Sequence, residues 1–193
     1  MVPSNNIAAA GTSCTQVENN NIKILQLNLN KAHTAQVELL NKLNKLETYI
    51  VLASEPYCYK QKLSLRPKKA ATIPNLREDR PRAAIFSSTH LNLSEISDLC
   101  TRDLAVAIFS RQHKTIMVIS AYCDINLDPI NENIKQALAY AKQRGYSVLM
   151  AADTNAHSVL WGKETNRRGQ EVEDFISTEN LTVHNIGRCD NEL

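Results

Sequence analysis

Apolar residues along the chain fall into short runs, and the sharpest of these runs end on polar side chains. From Ile22 to Asn30, Ile22, Ile24, Gln26, Asn28 and Asn30 share one face of an extended chain, and Lys23, Leu25, Leu27 and Leu29 share the other. Alternation this imperfect predicts a strand covered on both faces. It ends on two amides, Asn28 and Asn30, that need polar partners. An apolar stripe of Val37, Leu39, Leu40, Leu43 and Leu46 predicts a helix over about Ala35 to Glu47, with Thr34 as N-cap. Tyr49 to Ala53 reads as a strand ending in Ser54-Glu55-Pro56, where Pro56 stops the ladder. Ala83 to Phe86 reads as another strand, and His90 to Cys100 is ambiguous. Leu104 to Ser110 and Thr115 to Tyr122 are β-branched runs joined by Arg111-Gln112-His113-Lys114, a hairpin pattern. A helix opened by Pro129 runs through Ile134, Ala137, Leu138 and Ala141 and closes near Gly145. The strand Val148 to Ala152 ends on Asp153, Trp161 packs beneath the loop that follows, Gly169 to Ser177 is a short helix, and Leu181 to Ile186 is the last strand.

Strands and helices in this alternation indicate an α/β protein, whose polar chemistry gathers at the C-terminal ends of its strands. Asp153 and Asn155 are two residues apart, so both face one way while the chain stays extended. A carboxylate beside a neutral amide suits a phosphate ester: the carboxylate orients or deprotonates a water, and the amide donates to a phosphoryl oxygen. An Asp-Asn turn or helix cap produces the same string. Glu55 and Tyr122 stand at two further strand ends, where an exposed surface glutamate and a buried structural tyrosine are the plainer readings.

Charge sharpens the picture more than composition does. The 193 residues, 43% apolar and 22% charged, are ordinary for a globular domain that buries roughly 70% of its unfolded surface. The net charge is +2, yet Lys60 to Arg82 holds eight basic residues against two acidic ones, a local +6 that leaves the remainder at −4. A basic patch on a mildly acidic body suits a polyanion, with Lys68, Lys69, Arg80 and Arg82 as candidate phosphate contacts; a solvated basic loop is the alternative. The five cysteines are scattered without CxxC spacing, which indicates neither a zinc site nor a disulfide framework and makes reduced, intracellular thiols the default. No apolar run approaches the roughly 20 residues that span a bilayer, and no secretory signal opens the chain. Residues 1–21 are expected to be a disordered lead-in to a domain covering 22–193. With five glycines, neither GxGxxG nor a Walker loop is present.

The strings LQLNLN, SEP, AYCD and AADTNAH, with WG and NRRG behind them, occur in the order found in the endonuclease/exonuclease/phosphatase superfamily. More narrowly, they resemble the apurinic-type endonuclease domain of non-LTR (LINE-type) retrotransposons, over about Ile22 to Asn185. The resemblance implies a four-layered α/β sandwich, two mixed β-sheets packed face to face with helices outside. It implies Mg²⁺ held at Glu55 close to Asn28, Tyr122 on the scissile phosphate, Asp153 aligning or activating the attacking water, and Asn155 holding the phosphate and Asp153. His157 becomes a loop residue touching DNA. The expected activity is nicking of a target duplex to expose a 3′-hydroxyl that primes reverse transcription. A monomer in the nucleus, away from membranes, with a reverse transcriptase domain in the same polyprotein, completes the expectation.

The family's C-terminal Ser-Asp-His tripeptide does not occur in these residues; the nearest string, Ser97-Asp98-Leu99, lacks the histidine. None of the five histidines, His33, His90, His113, His157 and His184, stands at the matching place. The expected sandwich is therefore truncated, short of its last strands. Two readings follow: an active endonuclease domain, or a catalytically inactive remnant serving as a DNA-binding or interaction module. A phosphatase of small esters is a more distant third, since the basic segment fits it poorly.

Overall fold

The computed structural model describes residues 22–67, 70–74 and 80–184. The expected lead-in of residues 1–21 and the candidate contacts Lys68 and Lys69 lie outside the described residues. The first sheet is built from β1 (Lys23–Asn28), β2 (Tyr49–Ser54), β5 (Ala70–Ile73) and β6 (Ala83–Ser88), following a small hairpin of β3 (Cys58–Tyr59) and β4 (Lys62–Leu63). Its strand order is β1-β2-β6-β5, with β1 parallel to β2 and the other pairings antiparallel. The second sheet contains β7 (Ser94–Glu95), β8 (Leu104–Arg111), β9 (Lys114–Tyr122) and β10 (Ser147–Asp153), in the order β10-β9-β8-β7. Here β9 and β10 run parallel and the rest antiparallel.

Each parallel pair is joined by a crossover helix, as parallel strands require. Helix α1 (His33–Leu43) links β1 to β2, and α2 (Glu132–Arg144) links β9 to β10. A third helix, α3 (Arg167–Thr178), follows β10. Strand alternation sorts the core into three clusters. Ile50, Leu52, Ile73 and Ile85 from the first sheet meet Ala105, Ala107, Phe109, Val118 and Ala151 from the second, so the sheets pack face to face. The intervening residues of β2 and β6, Val51, Ala53, Ala84 and Phe86, pack against Leu39 and Leu43 of α1. Those of the second sheet, Val106, Met117, Ile119 and Ala121, meet Ile134, Ala137, Leu138 and Ala141 of α2 and Val172 of α3. The architecture is the expected four-layered α/β sandwich, helices outside.

Several boundaries differ from the sequence reading. Helix α1 begins at His33 with Ala32 as N-cap and no side-chain cap, so Thr34 lies inside the helix. The preceding Asn30 and Lys31 take left-handed φ angles of 47° and 55°, which turns the chain into the helix early. Helix α2 starts at Glu132, three residues after Pro129, because the Asn131 side chain caps it by accepting from the Ile134 N–H at 3.1 Å. It closes as expected on Gly145, at φ 66°. The ambiguous 90–100 segment is two 3₁₀ turns around β7, and Ser97-Asp98-Leu99 is the second of them. The hairpin turn Gln112-His113 has both φ values positive, the type I′ signature. Residues 181–184 are not a strand, in contrast to the expected run from Leu181 to Ile186; residues 185 and 186 lie outside the described set. Among the described residues no helix is long and apolar enough to cross a membrane.

Candidate active site at the rim of the sandwich

Pairing register places the polar strand ends together. In the first sheet Asn28, the last residue of β1, is opposite Ser54, the last of β2, and Glu55 follows. In the second, Tyr122 at the end of β9 is opposite Asp153 at the end of β10. Because both pairs are parallel, all these ends arrive at one rim. The antiparallel neighbours begin there: Ser54 is paired with Ala83 and Ala121 with Leu104, which brings Arg82 and Asp103 to the same rim.

Asn28 joins the two sheets. Its Nδ2 donates to Asp153 Oδ2 at 2.6 Å and to Glu55 Oε2 at 3.3 Å, while its Oδ1 accepts from the Asn30 N–H at 2.6 Å. Lys31 Nζ is 2.6 Å from Glu55 Oε1, with the Glu55 side chain 12% exposed and the Lys31 side chain 62%. Glu55 itself holds a left-handed φ of 48°, a backbone conformation that favours glycine. A cleft of about 360 Å³ opens beside the pair, lined by Asn28, Ser54, Asp153, Asn155, His157 and Trp161, among others.

Asp153 and Asn155 do not share a face through strand alternation. Asn155 is left-handed at φ 49°; its backbone N–H reaches Asp153 Oδ1 at 3.4 Å and its side chain donates to the Cys123 carbonyl at 3.0 Å. His157 is exposed and lines the cleft, while its backbone is tied to Asn166 by hydrogen bonds of 3.3 and 3.1 Å. Gly169 lies so close to the His157 carbonyl that an added Cβ would fall 1.7 Å from that oxygen. Trp161 packs on the second-sheet cluster and donates to the Ala156 carbonyl at 3.1 Å, under the loop as expected.

Two basic residues hold this rim in place, and sequence reasoning gave neither that role. Arg168 donates from Nε to the Thr154 carbonyl at 2.7 Å and from its two terminal nitrogens to the backbone carbonyls of Asp124 at 2.9 Å and Leu127 at 2.5 Å. It thus ties the loop after Tyr122 to the loop after Asp153; the NRRG string was its only sequence signal. Arg82 corrects the basic-patch expectation: its guanidinium is 2.5 Å from Asp103 and 2.6 Å from Asp124, with a side chain only 15% exposed. These bonds, that to Asp103 foremost, raise its pKa further above the usual arginine value. A phosphate would have to displace a carboxylate to bind it. Arg80, Lys60, Lys62 and Arg66 are exposed, so they remain available to a polyanion.

Electrostatics at the flanks follow from these contacts. The Arg82 hydrogen bond, aided by the Asn126 backbone N–H, holds the Asp124 carboxyl down at about 2. Burial pushes the Cys123 thiol up to about 11, against the opposing pull of Arg168.

A divalent metal is tested by the donors present. Among the described residues no three His, Cys, Asp or Glu side chains cluster closely enough to cage an ion. Mg²⁺ keeps several waters and takes few protein ligands, so a single carboxylate suffices to hold it. Glu55, which sits behind Asn28 and outside the lining of the cleft, fits that role with the Lys31 ammonium displaced from its Oε1. Asn28 does not fit as a ligand in this arrangement, because its oxygen is turned to the Asn30 N–H and its nitrogen faces the carboxylates.

By fold, the chain is a sandwich of the kind seen in the endonuclease domain of TRAS1, a telomere-specific non-LTR retrotransposon: the TM-score is 0.65 at 22% identity, over 86% of this chain and 74% of that one. By sequence, residues 116–190 match a family model described as endonuclease-reverse transcriptase, a window that includes Tyr122, Asp153, Asn155 and Arg168. No curated protein matches the chain.

Proposed function

We propose that the chain is a Mg²⁺-dependent DNA endonuclease domain of a non-LTR retrotransposon, nicking one strand of target DNA to leave a 3′-hydroxyl that primes reverse transcription. One observation carries the reading: Asn28 clamps Asp153 from one sheet and Glu55 from the other at the rim where Tyr122 also ends. The likeness to the TRAS1 endonuclease domain and the matched window support it.

With Asn28 and the Asn155 backbone N–H each occupying one oxygen, Asp153 keeps lone pairs free toward the cleft, where it orients a water and takes its proton. The water oxygen bonds to phosphorus, the bond from phosphorus to the 3′-oxygen breaks, and solvent protonates the departing 3′-oxygen. Tyr122 donates to a phosphoryl oxygen and Asn155 steadies the phosphate. Glu55 would hold Mg²⁺, which supplies Lewis-acid stabilisation of the phosphoryl charge. Arg80 and His157, with the basic residues Lys68 and Lys69, contact the DNA backbone. A nuclear location and a reverse transcriptase domain in the same polyprotein belong to this proposal.

The test is nicking of supercoiled plasmid in Mg²⁺. Loss of nicking on adding EDTA, and a drop of about 10²–10⁴-fold in Asp153→Asn, are expected. Nicking that survives Glu55→Gln and Asp153→Asn together refutes the assignment. One observation favours a second reading, a DNA-binding module without catalysis: Glu55, the carboxylate that would hold Mg²⁺, is paired with Lys31 at 2.6 Å. A folded chain that binds plasmid and never nicks it decides for that reading.

A further inference from the structure

Arg82 touches groups of both sheets at the rim. Its Nε and Nη2 make a two-point pair with Asp103 at 2.5 and 2.6 Å, and its Nη1 bonds Asp124 at 2.6 Å. The central carbon of the guanidinium lies 4.6 Å from the centre of the Tyr122 ring. Its backbone carbonyl accepts from the Glu55 N–H at 2.8 Å, its own N–H donates to the Arg102 carbonyl at 2.6 Å, and the Tyr122 N–H donates to the Asp103 carbonyl at 2.9 Å. Three hydrogen bonds fix the guanidinium plane, and a plane so fixed is a shelf for an aromatic ring.

We propose that Arg82 is a positioning residue that acts through Tyr122, holding the ring against the Glu55 turn so that the phenol meets the scissile phosphate. This rests on the reading of Tyr122 as a phosphate contact. The charge balance supports positioning over direct DNA contact, since one cation is shared by two carboxylates and no positive charge is left over for a phosphate. The side chain spans the sheets: it leaves the first sheet just before β6 and makes its three hydrogen bonds to groups flanking strands of the second. Lysine cannot reproduce the fork, because a point charge neither pairs at two points with Asp103 nor stacks on the ring while reaching Asp124.

The experiment is a double-mutant cycle of Arg82→Lys and Tyr122→Phe, read in plasmid nicking and in the ¹⁹F spectrum of chain labelled with 3-fluorotyrosine. Arg82→Lys keeps a positive charge beside the carboxylates while losing the fork, so it tests positioning at constant net charge; Asp124→Asn, which leaves the Asp103 pair intact, is the milder second variant. Expected are a fall of about 10²-fold in kcat for Arg82→Lys with KM for DNA nearly unchanged, and almost no further fall when it is added to Tyr122→Phe. The Tyr122 resonance, assigned by its loss in Tyr122→Phe, is expected to move toward that of an exposed tyrosine in Arg82→Lys and part-way in Asp124→Asn. An equal fall with and without the phenol, or a loss carried by a raised KM for DNA with kcat unchanged, overturns the proposal. An unmoved Tyr122 resonance overturns it as well. If the wild-type chain does not nick, the endonuclease reading falls, and the resonance still decides whether Arg82 orders the ring.

Discussion

Removing the Asn28 amide tests whether the two sheets are locked together at their rim. Asn28→Ala deletes the 2.6 Å bond to Asp153 and the 3.3 Å bond to Glu55. A hydrogen bond to a charged acceptor contributes about 1.5–3 kcal/mol, and Asn28 is exposed, which places its shorter bond at the low end. The bridged oxygens lie no more than about 6 Å apart, given those two distances. Like charges at that separation repel by about 0.7 kcal/mol in water and about 3 kcal/mol at an effective dielectric of 20. Destabilisation of about 2 kcal/mol follows, or a drop of about 4–8 °C in Tm for a domain of this size. The assay is urea unfolding of wild type, Asn28→Ala, Asp153→Asn and the double variant. Asp153→Asn removes the charge that Asn28 serves, so the second substitution should then cost much less, with an interaction energy of about 1–2 kcal/mol. Effects that add to within about 0.5 kcal/mol would refute the clamp.

Three other predictions use separate observations. Gly169→Ala, which in an exposed helix is stabilising by about 1 kcal/mol, should here destabilise by about 3 kcal/mol or more, since the new methyl meets the backbone carbonyl of His157; a Tm equal to or above wild type would contradict that contact. Asp124 has its carboxyl depressed to about 2 by Arg82, so its stabilising contribution is complete above about pH 4 and disappears as pH falls through about 2; Asp124→Asn should flatten the acid limb of the stability–pH curve there, and an unchanged limb would count against the pairing. Lys31→Met frees Glu55 Oε1 from the ammonium at 2.6 Å, so calorimetry should find Mg²⁺ bound several-fold tighter, whereas weaker binding would mean that Lys31 supports the site instead of competing for it.

What the sequence revealed and what it hid divide along one physical line. The strand ends at Asn28, Glu55, Tyr122 and Asp153 were legible because each closes an apolar run, and hydrophobic patterning is a local signal. The helix stop at Gly145 and the turn after Arg111 were legible for the same reason. Arg82 was not. Counting charges from Lys60 to Arg82 treats its guanidinium as one of eight equal cations, yet its partners are 21 and 42 residues away on the other sheet. Lys31 was hidden similarly, by a pairing to Glu55 that only the turn at Asn30 and Lys31 creates. Thr34 and Pro129 were plausible starts for α1 and α2 by residue type, and in each case the chain's entry geometry moved the boundary.

The rim also explains why so dispersed a set of residues can form one site. Each parallel pair with its crossover helix delivers two C-terminal strand ends to the same edge of its sheet, and each antiparallel neighbour starts there. Two sheets built on this plan and packed face to face bring both edges together, so separations of 27 and 125 residues collapse into two hydrogen bonds from one amide. The alignment depends on how the sheets sit over one another. That is fixed by the interdigitated residues around Ile85, Leu52 and Val118 and by the buried bond from Ser120 Oγ to the Ala53 carbonyl at 3.2 Å. Because close-packed interiors transmit strain, a cavity among those residues reaches the rim as a shift of one sheet against the other. The contacts that span the rim, Asn28 to Asp153 and Arg82 to Asp103 and Asp124, oppose that shift directly, so rim chemistry and inter-sheet packing are one mechanical unit.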